Sequence, residues 1–195
     1  TGSTAVKAQK ILITIDGTTQ YLLDKEIITA IAVDGANRKW IGTNGGGVFL
    51  LSADGTKQIQ NFNTSNSPLF SNTITSIAID PVTGEVFIGT DKGLISYVGD
   101  ATLGAESCSG LKVFPNPVKE NYNGPIAVRG VTANGNIKIT DIAGNVVYET
   151  TAKGGIATWD GNNFEGKRAH TGVYLVFATD EKGDNTCVTK LFLVN

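Results

Sequence analysis

Few side chains in this sequence could carry out nucleophilic, redox or metal chemistry, and they are widely spaced. The 195 residues include one histidine, His170, and two cysteines, Cys108 and Cys187. No CxxC pair exists, so a zinc ribbon is excluded, and we predict neither a metal site nor a cofactor. The cysteines are either free or buried thiols, or one disulfide that forms in an oxidising compartment and ties the first strand of the second half to the last.

The carboxylates follow a pattern that is typical of turns rather than of acid–base catalysis. Asp16, Asp34, Asp54 and Asp160 each directly precede glycine, and Asp–Gly pairs favour chain reversal. A nucleophile–histidine pair would have to recruit His170 from a loop that contains glycine and lysine, and no catalytic motif accompanies it. We therefore predict no catalytic residues and no enzyme activity.

Composition narrows the possible partners. The formal net charge is −2, and the sequence contains no cluster of basic residues. Both observations argue against nucleic acid as a binding partner. No apolar run is long enough to cross a membrane, and no signal peptide is present. The sequence contains no methionine, so we expect a fragment or a processed product, and any export signal that it once had would lie upstream.

An internal repeat organises the first half of the chain. Residues 28–51 read ITAIAVDGANRKWIGTNGGGVFLL, and residues 74–97 read ITSIAIDPVTGEVFIGTDKGLISY. Each copy predicts strand, turn, strand, glycine turn and strand, and residues 58–62 supply a fourth strand. The first strand of each copy is apolar on both faces, which predicts that it is covered on both sides. A period in the forties with four strands per unit is typical of a β-propeller blade.

The matched positions of the two copies carry a family resemblance. Trp40 corresponds to Phe87, and a shared Ile-Gly-Thr precedes a glycine-rich turn. This pattern resembles the propeller repeat in sensor regions of hybrid two-component regulators. Residues 10–24 fit the last two strands of a preceding blade, so residues 1–105 are expected to form part of a ring. The rest of that ring is expected upstream, because propellers close with about four to eight blades.

The repeat is lost in the second half, and a different all-β architecture is predicted there. Residues 100–110 are small and polar and are interpreted as a linker. Seven short strands follow, at about 110–114, 125–129, 136–141, 145–151, 155–159, 172–179 and 186–194, with turn signals between them. This spacing favours a seven-stranded immunoglobulin-like sandwich over residues 109–195, with residues 173–178 in the centre of a sheet.

Four motifs of the second half occur in an order that resembles a known export domain. They are VFPNPVK, IKITDIAGNVVYE, TWDGNNFEGKRAHTGVYLV and the terminal VTKLFLV. Together they resemble the type A C-terminal sorting domain of the type IX secretion system. The residues that carry this resemblance are Phe114, Pro115, Asn116, Pro117, Asp141, Gly144, Trp159, Asp160, Gly161, Gly172, Val173, Tyr174 and Lys190.

Each of these residues also has a structural interpretation. The prolines end one strand and turn the chain into the next. Trp159 is a predicted core anchor, and Asp141 and Asp160 begin turns. Gly172 is interpreted as a backbone requirement before the central strand, and Tyr174 as a core or interfacial aromatic. The last strand alternates, and Phe192 is expected to be buried in the sandwich.

The combination of propeller and sorting domain resembles a non-catalytic subunit of the cell-surface attachment complex of the type IX system. That resemblance implies secretion through the outer membrane, retention at the cell surface, attachment-complex or translocon proteins as partners, and binding of anionic lipopolysaccharide. One alternative is a secreted cargo whose sandwich is removed by the sortase. A further alternative is the extracellular sensor propeller of a two-component regulator, which would require a membrane span that this chain does not contain.

Overall fold

The computed structural model describes residues 10–15 and 17–194, and throughout that part the protein is all-β, as predicted. The only helical element in that part is a single 3-10 turn at Cys108–Gly110. The chain divides into two compact units. The second unit contains everything from Val98 onward together with two earlier turns, Asp34–Ala36 and Asp80–Glu85. The expected domain limits of 1–105 and 109–195 remain a prediction.

Three antiparallel sheets make up the first unit. Their orders are β1-β2, β3-β4-β5-β6 and β7-β8-β9, so two consecutive sheets follow the chain as meanders. The fourth strand that was expected at residues 58–62 is β6. The strands are β1 Leu12–Ile15, β2 Thr18–Tyr21, β3 Ile28–Val33, β4 Lys39–Thr43, β5 Val48–Leu51, β6 Gln58–Phe62, β7 Ile74–Ile79, β8 Glu85–Thr90 and β9 Gly93–Val98.

An aromatic cluster lies at the core of the first unit. Trp40 is 1% exposed, and its ring stacks on Phe62 with the centroids 5.7 Å apart. Tyr97 closes the group at 5.1 Å from Phe62. Stacked and tilted aromatic pairs add stability beyond the area they bury. The apolar residues of β4, β5, β7 and β8 complete this core.

The prediction that β3 is covered on both sides is wrong for the described residues. Ile31 is 63% exposed and Val33 is 52% exposed, and both alternate with the half-buried Ala30 and Ala32. Within the part of the chain that the structure describes, only one face of β3 therefore packs against other residues.

Two sheets form the body of the second unit. One has the order β10-β11-β14, and the other has the order β13-β12-β15-β16. β15 therefore lies inside its sheet, as expected for residues 173–178. The strands are β10 Lys112–Phe114, β11 Ile126–Arg129, β12 Asn136–Thr140, β13 Val146–Thr151, β14 Ile156–Trp159, β15 Gly172–Thr179 and β16 Thr186–Leu193.

The inward-facing residues of these two sheets share one core. Trp159, Ile126, Ile137, Val176 and Leu191 are all at most 1% exposed. The alternation along β16 buries Leu191 and Leu193 and turns Phe192 outward, where it is 49% exposed. The expectation that Phe192 is buried is therefore wrong. A strand presents successive side chains to opposite faces, and the two leucines occupy the inner one.

Candidate functional site

The Pro-Asn-Pro segment holds the last strand in place. Both prolines follow cis peptide bonds. Between them, the side-chain amide of Asn116 donates a hydrogen bond to the carbonyl oxygen of Lys190 over 2.8 Å. Its Oδ1 accepts one from the backbone N–H of Phe192 over 3.0 Å. Asn116 therefore bonds to the strand edge as a neighbouring peptide unit would.

Val118 extends this attachment toward the end of the chain. Its N–H donates to the carbonyl of Phe192 over 2.7 Å, and its carbonyl accepts from Val194 over 2.9 Å. The Val118 side chain is fully buried. These bonds form a parallel bridge between Val118 and Leu193. Because β16 lies at the edge of its sheet, they satisfy backbone groups that an open edge would offer to another chain.

A disulfide attaches the other end of the last strand. Cys108, in the 3-10 turn, is bonded to Cys187 near the start of β16, with the Cα atoms 5.8 Å apart. Cys108 is 3% exposed and packs in the core of the second unit. Of the two alternatives that the sequence left open, the structure contains the bridge. β16 is thus held to the rest of the unit at both of its ends.

The Asp141–Gly144 motif forms a tight turn between β12 and β13. Asp141 Oδ1 accepts hydrogen bonds from the backbone N–H groups of Ala143 and Asn145, each over 2.9 Å. Gly144 has φ +90°, a conformation that favours glycine. The Asn145 side-chain amide, and then its backbone N–H, hold the pKa of Asp141 below its usual value, because both stabilise the charged carboxylate.

The aspartates that precede glycine fit the turn interpretation wherever the structure describes them. Hydrogen bonds from the Ser52 hydroxyl, and then from Thr56, lower the pKa of Asp54 to about 2. Asp160 Oδ1 accepts from the backbone N–H of Asn162 over 2.9 Å. Asp16 lies outside the described residues. A carboxylate with a lowered pKa, as in Asp54, is a poor proton donor, which suits a structural role for that residue.

Trp159 and Gly161 anchor the loop that leads to β15. Trp159 is 1% exposed, and its indole N–H donates to the carbonyl of Asn162 over 2.6 Å. Gly161 has φ +83°, and a Cβ there would lie 2.0 Å from a guanidinium nitrogen of Arg168. That guanidinium donates to the carbonyls of Asp160 and Tyr122. The sequence did not single out Arg168, because nothing local marks a cation that bonds backbone carbonyls.

Tyr174 and Gly172 differ in how well their predicted roles hold. Tyr174 is 6% exposed, lies edge-on to Trp159, and donates its hydroxyl to the carbonyl of His170 over 2.7 Å. Burial raises its pKa above the usual value. Gly172 does not have a positive φ, and a Cβ there would come no nearer than 4.0 Å to Tyr174. The predicted backbone requirement for glycine at this position is therefore wrong.

One face of the four-stranded sheet remains partly uncovered, and we call it the sandwich outer face. Phe192 and Val188 are 49% and 52% exposed. Lys190 lies between them on β16 and is exposed, and Lys138 lies on β12 with an ion pair to Glu149 at 3.5 Å. The outward-facing apolar residues of β15 lie between Lys190 on β16 and Lys138 on β12, and an apolar strip between two cations suits contact with an amphipathic or anionic partner. Its cross-strand pairs are Val173 with Phe192, Leu175 with Lys190, and Phe177 with Val188.

The segment that was interpreted as a linker is packed into the second unit. Ala101 is 2% exposed and Thr102 is 7% exposed. Thr102 forms a parallel bridge with Gly154, and its carbonyl accepts from Gly155 over 2.8 Å. A Cβ at Gly154 would lie 1.8 Å from that carbonyl. The linker prediction is therefore wrong for residues 101–105, because a segment of small residues can also pack closely against a neighbouring backbone.

Further contacts hold this segment on both sides. The N–H of Leu103 donates a hydrogen bond to the carbonyl oxygen of Pro81 over 2.8 Å. The N–H of Ala105 donates one to the carbonyl oxygen of Val131 over 2.9 Å. Asp100 forms an ion pair with Lys153 at 2.5 Å. All of these residues belong to the second unit. Backbone hydrogen bonds therefore hold the inserted segment, residues 100–105, at Thr102, Leu103 and Ala105, although the side chain of Leu103 is 67% exposed.

Over residues 10–15 and 17–194, no group of three or more histidine, cysteine, aspartate or glutamate side chains could hold a metal ion. In the same part of the chain, no helix is long and apolar enough to cross a membrane.

Comparison with known proteins finds a family match for part of the second unit. Residues 112–194 match the secretion system C-terminal sorting domain. Among solved structures, the chain is similar to PorZ, an essential bacterial surface component of the type-IX secretion system of Porphyromonas gingivalis. The identity is 32% and the TM-score 0.64, over 99% of this chain and 26% of PorZ. The chain thus spans about a quarter of that relative.

Two further likenesses concern sensor proteins of Bacteroides thetaiotaomicron. The extracellular domain of the hybrid two-component system BT4673 is 12% identical to this chain, with a TM-score of 0.32. The match covers 92% of this chain and 27% of the BT4673 chain. The extracellular domain of BT3049 is 13% identical to this chain, with a TM-score of 0.33. The match covers 89% of this chain and 39% of the BT3049 chain. Similarity at this level supports no inference. Among curated proteins, none matches the chain.

Proposed function

We propose that this chain is the C-terminal part of a PorZ-like surface component of type IX secretion, because residues 112–194 match the secretion system C-terminal sorting domain. In this proposal the first unit is part of a β-propeller, with β3–β6 as one blade and β7–β9 as three strands of the next. The second unit is an immunoglobulin-like sandwich that acts as an export and interaction domain. The protein is non-catalytic and is held at the cell surface.

The observation that carries this proposal is the burial of Ala101 and Thr102 in the inserted segment. A cargo whose sandwich is removed must present the chain before the sandwich to the sortase in an extended, accessible form. Thr102 is instead 7% exposed, and its carbonyl is bonded to Gly155. Cleavage there requires local opening, which has a free-energy cost. This supports a sandwich that is retained, as a permanent component needs, over a sandwich that is removed.

The sortase-cargo alternative is supported by a different stretch. Glu106 and Ser107 are exposed and lie between the inserted segment and the disulfide. A protease could reach these two residues, although Cys108 directly after them is buried.

Mass spectrometry of the protein released from intact cells tests the two alternatives. Retention predicts a peptide that runs uncut from Asp100 to Lys112. A new C-terminus between Thr102 and Gly110, with a glycolipid attached, would make the chain a cargo tail and overturn the proposal.

Limited proteolysis of the purified protein provides a second test. The first cuts are expected in the exposed turn at residues 181–185, because exposed loop tips are the preferred sites of nicking. First cuts within residues 100–105 would contradict the burial argument.

We include recognition of anionic lipopolysaccharide in the proposal. It is supported by the sandwich outer face, where Lys138 and Lys190 flank the apolar strip formed with Phe192. A phosphate-bearing amphiphile could contact both cations and the strip. Lys190→Ala should weaken binding to anionic lipopolysaccharide, in a titration at low salt, more than Lys182→Ala does. Lys182 is a matched exposed lysine in the turn before β16. Equal affinities for the two variants would count against this site.

A further inference from the structure

The turn that joins β15 to β16 is an accessible target for a protease. Residues 181–185 are all exposed. The turn is organised by the carboxylate of Asp180, whose Oδ1 accepts a hydrogen bond from the N–H of Asp184 over 2.8 Å. Its Oδ2 accepts one from the N–H of Asn185 over 3.1 Å. Exposed loop tips with small and polar residues are preferred sites of proteolytic nicking, and a nick here separates β16 from the main chain that precedes it.

The effect of such a nick depends on where the two cysteines lie. Cys187 is the second residue of β16, downstream of the turn, and Cys108 lies upstream of β10. All the strands from β10 to β15 therefore lie between the two cysteines in the chain. Hydrolysis of a peptide bond in the turn consumes one water molecule and leaves the S–S bond intact. The end piece that carries β16 thus stays covalently joined to the rest of the protein through Cys108.

The other contacts of β16 are extensive but noncovalent. The strand pairs with β15 from Thr186 to Leu193. Leu191 is 0% exposed in the core, and Asn116 bonds to the outer edge of the strand. After a cut, these contacts alone must hold a separate peptide against dilution. A covalent tether with an effective concentration of about 1 mM favours the bound strand by roughly a thousandfold over a free peptide at about 1 μM.

We propose that the Cys108–Cys187 disulfide is a clip that keeps β16 seated in the sandwich after the chain is cut in the β15–β16 turn. The end piece contains the terminal VTKLFLV motif together with Cys187, so one bond retains both the strand and the motif. The match to the sorting domain ends at residue 194, within this piece. The clip belongs to the sandwich itself, and the proposal is therefore independent of whether the sandwich is retained or removed at the cell surface.

A single cut at a chosen position tests the clip. A recognition sequence for a site-specific protease is inserted between Lys182 and Gly183 in the full-length protein, because exposed loop tips tolerate insertions. The same insertion is made in a variant with Cys108→Ser and Cys187→Ser. Both proteins are cut while folded and without reductant. Amide hydrogen exchange is measured on the cut mixtures, which are then passed at micromolar concentration over a gel-filtration column and weighed by mass spectrometry.

The clip predicts that the cut parent protein elutes with its end piece and that the cut serine variant loses this piece. The amide of Leu191 should exchange at least about tenfold faster in the cut serine variant than in the cut parent, because an untethered strand leaves its site more readily. Equal retention of the end piece by the two cut proteins would overturn the proposal. So would rapid exchange at Leu191 in the cut parent, since the bond would then tether the piece without seating β16.

Reduction of the cut parent protein provides the same comparison if the serine variant does not fold. Dithiothreitol is added after the cut, and mass spectrometry verifies that the disulfide has been reduced to two thiols. The clip predicts that the end piece is then released, whereas the uncut parent, reduced in the same way, keeps its full mass and elutes as one chain. Retention of the end piece by the cut and reduced protein would overturn the proposal.

Discussion

Asn116 should stabilise the second unit through two hydrogen bonds to the edge of β16. Asn116→Ala removes the donor to the Lys190 carbonyl and the acceptor for the Phe192 N–H, which are held at 2.8 and 3.0 Å. It leaves the neighbouring prolines unchanged. The last strand then keeps its attachment through Val118 and the disulfide but loses the bonds between them.

The expected cost follows from the hydrogen-bond count. A typical intramolecular hydrogen bond contributes about 0.5–1.5 kcal/mol net. Asn116 is exposed, so water can replace part of each bond, and we expect a total loss of about 1–2 kcal/mol. With a urea m-value of about 2 kcal/mol per M, in the middle of the usual range for a small domain, the midpoint should fall by roughly 0.5–1 M.

Urea unfolding and amide hydrogen exchange measure this effect. The amide of Phe192 should lose protection in Asn116→Ala, whereas the amide of Leu191, which lies inside the pair with β15, should be less affected. Asn123→Ala is the control, because Asn123 is exposed in the same loop region. An unchanged midpoint together with unchanged exchange at Phe192 would refute the assigned role of Asn116.

Three further outcomes are expected. Leu191→Ala should lower the free energy of unfolding by about 2–5 kcal/mol, because the Leu191 side chain is 0% exposed. Phe192→Ala should change it by no more than about 1 kcal/mol, because the Phe192 side chain is 49% exposed. Equal melting temperatures for the two variants would contradict this. Replacing Cys108 and Cys187 together by serine should cost about 2–4.5 kcal/mol, since the bridge closes a loop of 79 residues, and dithiothreitol should destabilise only the parent protein. The pKa of Asp141 is lowered in the folded protein, so its ionised carboxylate contributes stability at pH values above the unfolded-state pKa of about 3.9. This contribution is lost as the pH falls through the folded-state pKa. Asp141→Asn should therefore flatten the acid limb of a curve of unfolding free energy against pH, and an unchanged limb would contradict this role.

The sequence predicted much of the fold because periodic patterns report local structure. The repeat located β3–β9, and the alternation in the second half placed all seven later strands within a few residues of their observed bounds. Which face of a strand is buried was less predictable. In β16, both alternating sets contain large apolar residues, and Lys190, in the set of Phe192, was the one signal that this set faces outward and Leu191 inward. That choice depends on the opposite sheet.

The inserted segment shows why the candidate site was harder to predict than the fold. Residues 100–105 are held mainly by backbone hydrogen bonds, and these leave no side-chain signature in the sequence. The available signal lay in the partners, since Gly154-Gly155 is a pair of residues that allow a backbone to approach closely. A glycine pair also fits an ordinary turn, so only the three-dimensional contact with Thr102 separates the two interpretations. In the proposed function, the same contact supports a retained sandwich, because Thr102 must separate from Gly155 before a protease can reach the peptide bond.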